Sequence, residues 1–365
     1  MKSIIVKRAS ARIWRAKLNS PFRIALGSHK VLENILFTIE LSNGIHGCGE
    51  AGVATHITGE TVRGTLLNLI DATKDMTGME IDRFPDAADE FSFKFGRNKC
   101  ALAALEMAML DAVTRTKGMP LWQAFGNKAG ILKTDMTVVL GSVSSARADA
   151  RIIARRRIRS FKVKVGRDFG EDISRVKAVA GIARKLPIFL DANQGFTVSQ
   201  TLKFLKRLEE LGIAPALIEQ PVAKGDLEGL AKITRESKTL VFADESAGSL
   251  EDVKRIVRKK AAGGINIKLM KTGLLESYEI AKFARKNNLG LMIGCMMETP
   301  LAVAAAAHLA AGCGGFDFID LDSPFFMAER VTRGFYPSAS GIYDVSKVRA
   351  GIGVQPLPGP TGSGR

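Results

Sequence analysis

Five ionisable residues, Lys164, Asp191, Glu219, Asp244 and Lys268, follow one another at intervals of 27, 28, 25 and 24 residues, and each ends a short apolar run: FKVK, PIFLD, ALIE, LVFAD and INIK. One strand, one helix and two loops consume about that many residues when strands run ~5 to 6 and helices ~11 to 12 residues. The spacing therefore predicts one polar side chain per strand–helix unit, always at the C-terminal end of the strand. Lys162 stands two residues before Lys164 and shares its face of the strand. Three carboxylates converging on one point repel one another unless neutralised, and an all-oxygen set of this kind suits Mg2+. Two amines on opposite sides of a bound substrate can remove a proton from one face of a carbon and return one to the other. A cation between them would stabilise the enolate formed on the way, and the positive charge gathered there is expected to lower the pKa of the base lysines.

The elements needed to position these groups are visible in the pattern. From Thr134 onward, strand-like runs near 134–140, 161–165, 187–191, 216–219, 240–244, 264–268, 290–294 and 316–320 alternate with helical segments. Eight such units predict a (β/α)8-type barrel, a modified TIM barrel, whose chemistry sits at the C-terminal mouth. Lys268 then lies four strands round the ring from Lys164, directly across the mouth. An open doubly wound sheet is the alternative, but no GxGxxG follows the first strand.

Residues 1–130 read differently, as an α+β capping domain. Strand-like runs at 3–14, 34–41 and 45–50, with a turn at Ser42-Asn43-Gly44, precede an amphipathic segment to Ala72 and an Ala/Leu/Met-rich helix over 98–117. Segments 19–30 and 49–59 are expected to be lid loops over a pocket. The barrel is expected over 131–328. A C-terminal segment, 329–358, is expected to return to the cap and complete it, and residues 359–365 to form a tail.

Composition excludes several classes. With 46% hydrophobic and 25% charged residues the chain reads as globular, and no apolar run approaches the roughly 18 residues of a membrane span. No secretory signal is evident, and Cys48, Cys100, Cys295 and Cys313 lack CxxC spacing, so a reducing cytoplasm is expected. The net charge of +16 raises nucleic-acid binding as a reading from another class. The densest cluster, Arg147, Arg151, Arg155, Arg156, Arg157 and Arg159, instead reads as the solvated face of an amphipathic helix, and no nucleic-acid-binding signature accompanies it.

The stretches FKVKVG, FLDANQGF, LIEQP, FADES and INIKLMKTGL resemble the motifs of the enolase superfamily, in particular its muconate lactonizing enzyme subgroup. ALAALEMAMLDAVTRTKGMPLWQAFG is similar to the family's cap helix and its exit. The resemblance implies Asp191, Glu219 and Asp244 as Mg2+ ligands, Lys164 and Lys268 as the acid/base pair, Lys162 as an auxiliary cation, and Asn193 and Glu245 as neighbouring polar groups. The last barrel strand carries Asp320 and Asp322, which resemble the DxD signature of dipeptide epimerases, where the pair holds the substrate's α-ammonium group. Two adjacent carboxylates suit a cation and are poor hosts for a dicarboxylate. The implied activity is Mg2+-dependent epimerisation of a dipeptide at its C-terminal residue; o-succinylbenzoate synthase or muconate cycloisomerase chemistry is the alternative within the subgroup. Met297 and Arg23 are further candidates for substrate contact. Arg23 is the arginine nearest the cationic position that Ala-Glu epimerases use in the first cap loop, though Gly27 is a competing occupant of that position. A homo-oligomer is expected from the resemblance alone.

Overall fold

The computed structural model describes residues 3–24, 27–126 and 129–358. The chain begins with an antiparallel three-stranded sheet, β1 (Val6–Ile24), β2 (Gly27–Leu41) and β3 (His46–Ala51), in the order β1-β2-β3. A single helical turn, α1 (Thr55–Thr58), is followed by α2 (Val62–Met76), α3 (Phe84–Lys94) and α4 (Lys99–Thr116). Asn98 caps α4 by accepting from the Ala101 amide, and Thr61 caps α2 in the same way through Gly64. Helix α4 is buried nearly all round because it lies between the cap sheet and the barrel.

The sequence of β3, HGCGEA, explains how closely α4 approaches the sheet. A Cβ on Gly49 would lie 1.9 Å from the Ala104 carbonyl oxygen, and one on Gly47 would lie 2.1 Å from that of Ala108. Both obstacles are helix backbone, which cannot rotate away. Alanines on the helix and glycines on the strand therefore set the spacing together.

After a short strand, β4 (Ile131–Lys133), eight parallel strands follow: β5 (Met136–Val138), β6 (Phe161–Lys164), β7 (Ile188–Asp191), β8 (Leu217–Glu219), β9 (Leu240–Ala243), β10 (Gly264–Ile267), β11 (Gly290–Gly294) and β12 (Phe318–Asp320). They pair in unbroken sequential order from β5 to β12. The intervening helices are α5 (Val143–Arg155), α6 (Phe169–Ala183), α7 (Val198–Glu210), α8 (Leu227–Glu236), α9 (Leu250–Lys259), the one-turn α10 (Leu269–Thr272), α11 (Leu274–Lys286) and α12 (Pro300–Cys313). At the seam the Asp135 amide donates to the Ile319 carbonyl (2.9 Å) and the Leu321 amide to Thr134 Oγ1 (2.8 Å), which brings β5 against β12 and nearly closes the ring. Phe189 and Phe242 each meet Phe318 edge-on in the barrel's lower interior. The barrel with its N-terminal cap is the architecture expected from the spacing. The chain ends with β13 (Thr332–Gly334), β14 (Ile342–Asp344) and β15 (Val354–Pro356), of which β14 pairs with β4 and β13 with β15. Asp111 of α4 ties this segment to the cap sheet: its Oδ1 accepts from the Ile352 amide (2.7 Å) and its Oδ2 from the Cys48 amide (3.1 Å).

Segment 19–30 differs from the expected loop. Strand β1 runs to Ile24 and β2 starts at Gly27, so the segment is the outer part of a hairpin. The pairing register shifts between Lys17 and Phe22, where Pro21 has no amide to give a ladder. The bulged stretch bonds instead to the chain beyond the last barrel strand. The Lys17 amide donates to Glu329, the Ala328 amide to the Lys17 carbonyl, and Asn19 Nδ2 to the Phe325 carbonyl.

Glu50, at the end of β3, makes the second join between cap and barrel. Its carboxylate accepts from Asn34 Nδ2 (2.6 Å), the Thr299 amide (2.9 Å), the Thr299 hydroxyl (2.5 Å) and the Ala302 amide (3.3 Å). It therefore serves the buried amides at the N-terminus of α12 that have no partner within the helix, where negative charge is favoured.

Gly49→Ala is expected to destabilise the chain by about 3 kcal/mol, because the new methyl group meets helix backbone. A lowered denaturant midpoint with an unchanged slope is the expected observation, and an unaltered midpoint would refute this account of the β3–α4 contact.

Candidate active site

Each barrel strand from β6 to β10 delivers its polar residue to the same end. Lys162 and Lys164 lie on β6, Asp191 ends β7 and Glu219 ends β8; Asp244 and Lys268 stand one residue beyond β9 and β10. Asp320 ends β12 and Asp322 lies two residues further on. β6 and β10 are four strands apart in the ring of eight, so Lys164 and Lys268 face each other across the mouth. Both line one cavity, together with Thr137, Asn193, Cys295, Met296, Met297, Asp320 and Asp322 from the barrel and Ala54, His56 and Ile57 from the cap. Segment 49–59 thus contributes α1 and its approach to the cavity roof. The Arg23 side chain lies outside the described residues.

The site is a dense salt network. Lys164 Nζ lies 2.6 Å from Asp191 Oδ2 and 3.1 Å from Asn193 Oδ1. Lys268 Nζ lies 2.7 Å from Asp244 Oδ2. Lys162 is inserted among three carboxylates, at 3.0 Å from Asp191, 2.6 Å from Glu219 and 2.6 Å from Asp320. It does not line the cavity; it braces the layer below. Just past β7 and β8 the chain turns sharply, with the non-glycine residues Asn193, Gln194 and Gln220 at positive φ. Such strained positions persist only where the surroundings over-determine them. Here Gln220 Oε1 accepts from the amides of Asp244 and Ser246, which fixes where Asp244 points.

Three buried groups escape the spacing rule. Lys271 donates to the Asp244 carbonyl (2.5 Å), Asp244 Oδ1 (2.6 Å) and the Asn266 carbonyl (2.9 Å), so Asp244 is gripped by two ammonium groups. Asn266 Nδ2 donates to Glu219 Oε1 (2.6 Å). Asp135, just before β5, is buried beside Asp320 and Asp322. A signal existed for the first two: Lys271 is three residues after Lys268 on one helical turn, and Asn266 is two before it on one strand face.

Burial and charge shift the titrations in opposed directions. Burial alone would raise Asp191 and Asp244, but Lys162 and Lys164 beside the first, and Lys268 and Lys271 beside the second, hold both below the usual carboxylate range. Glu219 is pushed up to about 8 by burial and by Asp191, and Asp322 up to about 6 by burial and by Asp320. Burial would depress Lys268, yet Asp244 and Glu219 outweigh it and raise the amine above its ordinary value. For Lys268 the lowering expected from the sequence is therefore reversed in the chain by itself; it requires a further positive charge beside those carboxylates.

The residues fit a divalent cation on charge and on chemistry. Seven carboxylates, Asp135, Asp191, Glu219, Asp244, Glu245, Asp320 and Asp322, meet four lysines, Lys162, Lys164, Lys268 and Lys271, and none is more than 7% exposed. Asp191, Glu219 and Asp244 form an all-oxygen donor set on consecutive strands. Among the described residues, the carboxylates whose oxygens come within 4.8 Å of one another are Asp135, Asp320 and Asp322. Asp191, Glu219 and Asp244 instead hold lysine Nζ atoms, Lys162 bridging the first two and Lys268 and Lys271 on the third, and a cation would replace contacts of that kind.

The chain matches the family model for the "Mandelate racemase / muconate lactonizing enzyme, N-terminal domain" over residues 8–126 and "Enolase C-terminal domain-like" over residues 145–358. It is 45% identical over 362 residues to a hydrophobic dipeptide epimerase of Citrifermentans bemidjiense, covering 97% of this chain and 98% of the relative. It is 39% identical over 350 residues to an aromatic dipeptide epimerase of Herpetosiphon aurantiacus, covering 96% and 98% respectively. Among solved structures, the dipeptide epimerase of Enterococcus faecalis V583 complexed with Mg and the dipeptide L-Leu-L-Tyr superposes with a TM-score of 0.91 at 31% identity, over 96% of this chain and 99% of that one. With the barrel, the cap and the ordered lysines and carboxylates in place, the chain belongs to the mandelate racemase and muconate lactonizing enzyme family of the enolase superfamily.

Proposed function

We propose that this protein is a Mg2+-dependent dipeptide epimerase that inverts the α-carbon of the C-terminal residue. The observation that carries the reading is the placement of Lys164 and Lys268 on opposite strands of the ring, facing one cavity whose seam side is lined by Asp320 and Asp322. The names and bound dipeptides of the relatives point the same way. Asp191, Glu219 and Asp244 would hold Mg2+, which when bound stabilises negative charge developing on the substrate's carboxylate. The lysine that enters as a free amine takes the α-proton; the other, entering as an ammonium, gives a proton to the opposite face, and the two exchange roles with each inversion. Asp320 and Asp322 anchor the free N-terminus, while Lys162 keeps Asp320, Glu219 and Asp191 in register.

The apolar lining supports a hydrophobic residue beside the abstracted proton. Ile57, Met296 and Met297 supply that surface, and the lysines lining the cavity are the two committed to proton transfer. Among the described residues, a side-chain carboxylate would meet no further lysine or arginine there. The reading sets the enzyme in the cytoplasm, which four free cysteines suit, and no helix among the described residues is long and apolar enough to cross a membrane.

Incubating L-Ala-L-Phe with enzyme and Mg2+ in D2O is expected to place deuterium at the C-terminal α-carbon and yield L-Ala-D-Phe. Absence of exchange across a broad dipeptide library would refute the reading. Lys164→Ala and Lys268→Ala should each lower kcat for epimerisation by about 10²- to 10⁴-fold, while each variant retains α-deuterium exchange from only one of the two epimers. Exchange from both epimers in either variant would exclude a two-base mechanism.

Asp322 gives a pH dependence of known sign. Its carboxyl, lifted to about 6, is ionised above that pH and protonated below it, so its attraction for an ammonium group is lost on acidification. The pH profile of kcat/KM should therefore fall on the acid side of pH 6, and Asp322→Asn should remove that limb while lowering the plateau.

A further inference from the structure

Asp135, like Glu245, is a carboxylate of the cluster that the proposed chemistry leaves without a task. It lies two residues before Thr137, so the two side chains leave the same face of the chain and enter the barrel one above the other. Its amide is fixed by the Ile319 carbonyl (2.9 Å). Its side chain is fully buried, and neither carboxylate oxygen has a hydrogen-bond partner. The charged groups around it are Asp320 and Asp322 at the seam, Lys162 from β6 and Glu219 from β8. Lys162 is already shared among Asp191, Glu219 and Asp320. A buried carboxylate left in this state is costly, and the structure offers it no protein donor.

The neighbouring pair is partly spent. Asp320 Oδ2 takes Lys162 Nζ at 2.6 Å, and Asp322 Oδ2 takes the Thr137 amide at 2.7 Å, which leaves Oδ1 of each for another donor. An alkylammonium group carries three N–H bonds, one more than two such oxygens accept one apiece. Oxygens of Asp135, Asp320 and Asp322 lie within 4.8 Å of one another. Three points so close all fall within about 2.8 Å of a common centre, inside the ~2.7–3.2 Å range of an N–H···O bond. The cavity reaches Asp320 and Asp322, and Asp135 lies beneath them, off its surface.

We propose that Asp135 is a substrate-binding residue: it forms the floor of a three-carboxylate socket in which each N–H of the dipeptide's α-ammonium group meets one aspartate. The inference rests on the dipeptide-epimerase reading and deepens it. Asp320 and Asp322 form the walls that the substrate meets first, and the third carboxylate makes the socket selective for a primary ammonium over an uncharged group of the same shape. An uncharged group would leave Asp135 without a donor and Asp320 and Asp322 each with one oxygen for which it offers no N–H.

The test compares L-Ala-L-Phe with N-propionyl-L-phenylalanine, which has the same skeleton without the ammonium group, in the Mg2+-loaded wild type and in Asp135→Asn. Calorimetry is expected to show the dipeptide Kd rising at least about tenfold in the variant, as loss of one charged hydrogen bond implies, while the propionyl compound binds as well as before or better. Mn2+ affinity of the metal-free proteins should be the same in both, which establishes that the variant is folded and its metal site intact; Asp135→Ser serves if the asparagine variant does not fold. A dipeptide Kd unchanged by the substitution overturns the proposal. So does a loss shared equally by both ligands, because a merely structural role would produce it. Wild type that exchanges no dipeptide α-proton refutes the underlying activity instead, so the two failures are distinguishable.

Discussion

The barrel mouth is governed by the cost of burying charge. Lysines and carboxylates that would each be expensive to dehydrate alone are tolerated because every lysine touches at least one carboxylate, and Lys162 touches three. That requirement sets the architecture around it. The charged groups must arrive from several strands, because one strand presents only alternate residues to the interior. Each strand must also be held rigidly enough that a shift of an ångström does not leave a buried charge alone. The sharp turns at Asn193, Gln194 and Gln220, the Gln220 bonds to the amides following β9, and the edge-on phenylalanines at the barrel floor all serve that rigidity.

The same balance links the free chain to chemistry. Lys268 is held as an ammonium by Asp244 and Glu219, which suits the member of a lysine pair that donates a proton and opposes its use as a base. A divalent cation among those carboxylates competes with the lysines for the same negative charge and relaxes that hold. Metal binding and the availability of a free amine are therefore coupled through shared carboxylates.

Much of this was legible in the sequence because the strand–helix unit acts as a ruler. Lys164, Asp191, Glu219, Asp244 and Lys268 are each the polar end of an apolar run, and the near-constant interval gave the ring positions directly. The groups that were hidden break that grammar. Asp135 precedes its strand instead of ending it, Lys271 sits on a one-turn helix, and Asn266 is an uncharged residue inside a strand. Helix α3 was missed because FPDAADEFSFK carries Phe93 on the outside, where it is 94% exposed and blurs the apolar face. The β1–β2 hairpin tip read as a loop because Pro21, Gly27 and Ser28 are turn-formers locally. Its continuation depends on partners about three hundred residues away, which no local pattern encodes.

Those distant partners carry a consequence for how such enzymes diversify. The bulge at Lys17–Phe22 is knitted to Phe325, Ala328 and Glu329, the chain that emerges directly from Asp322. Cap and barrel are thus not interchangeable modules. A cap transplanted from another family member would meet a foreign edge at 325–329, and the mismatch would fall on the stretch that anchors the end of the Asp320–Asp322 strand. New substrate ranges are more readily reached by inheriting the hairpin and that exit segment as one block than by exchanging either alone.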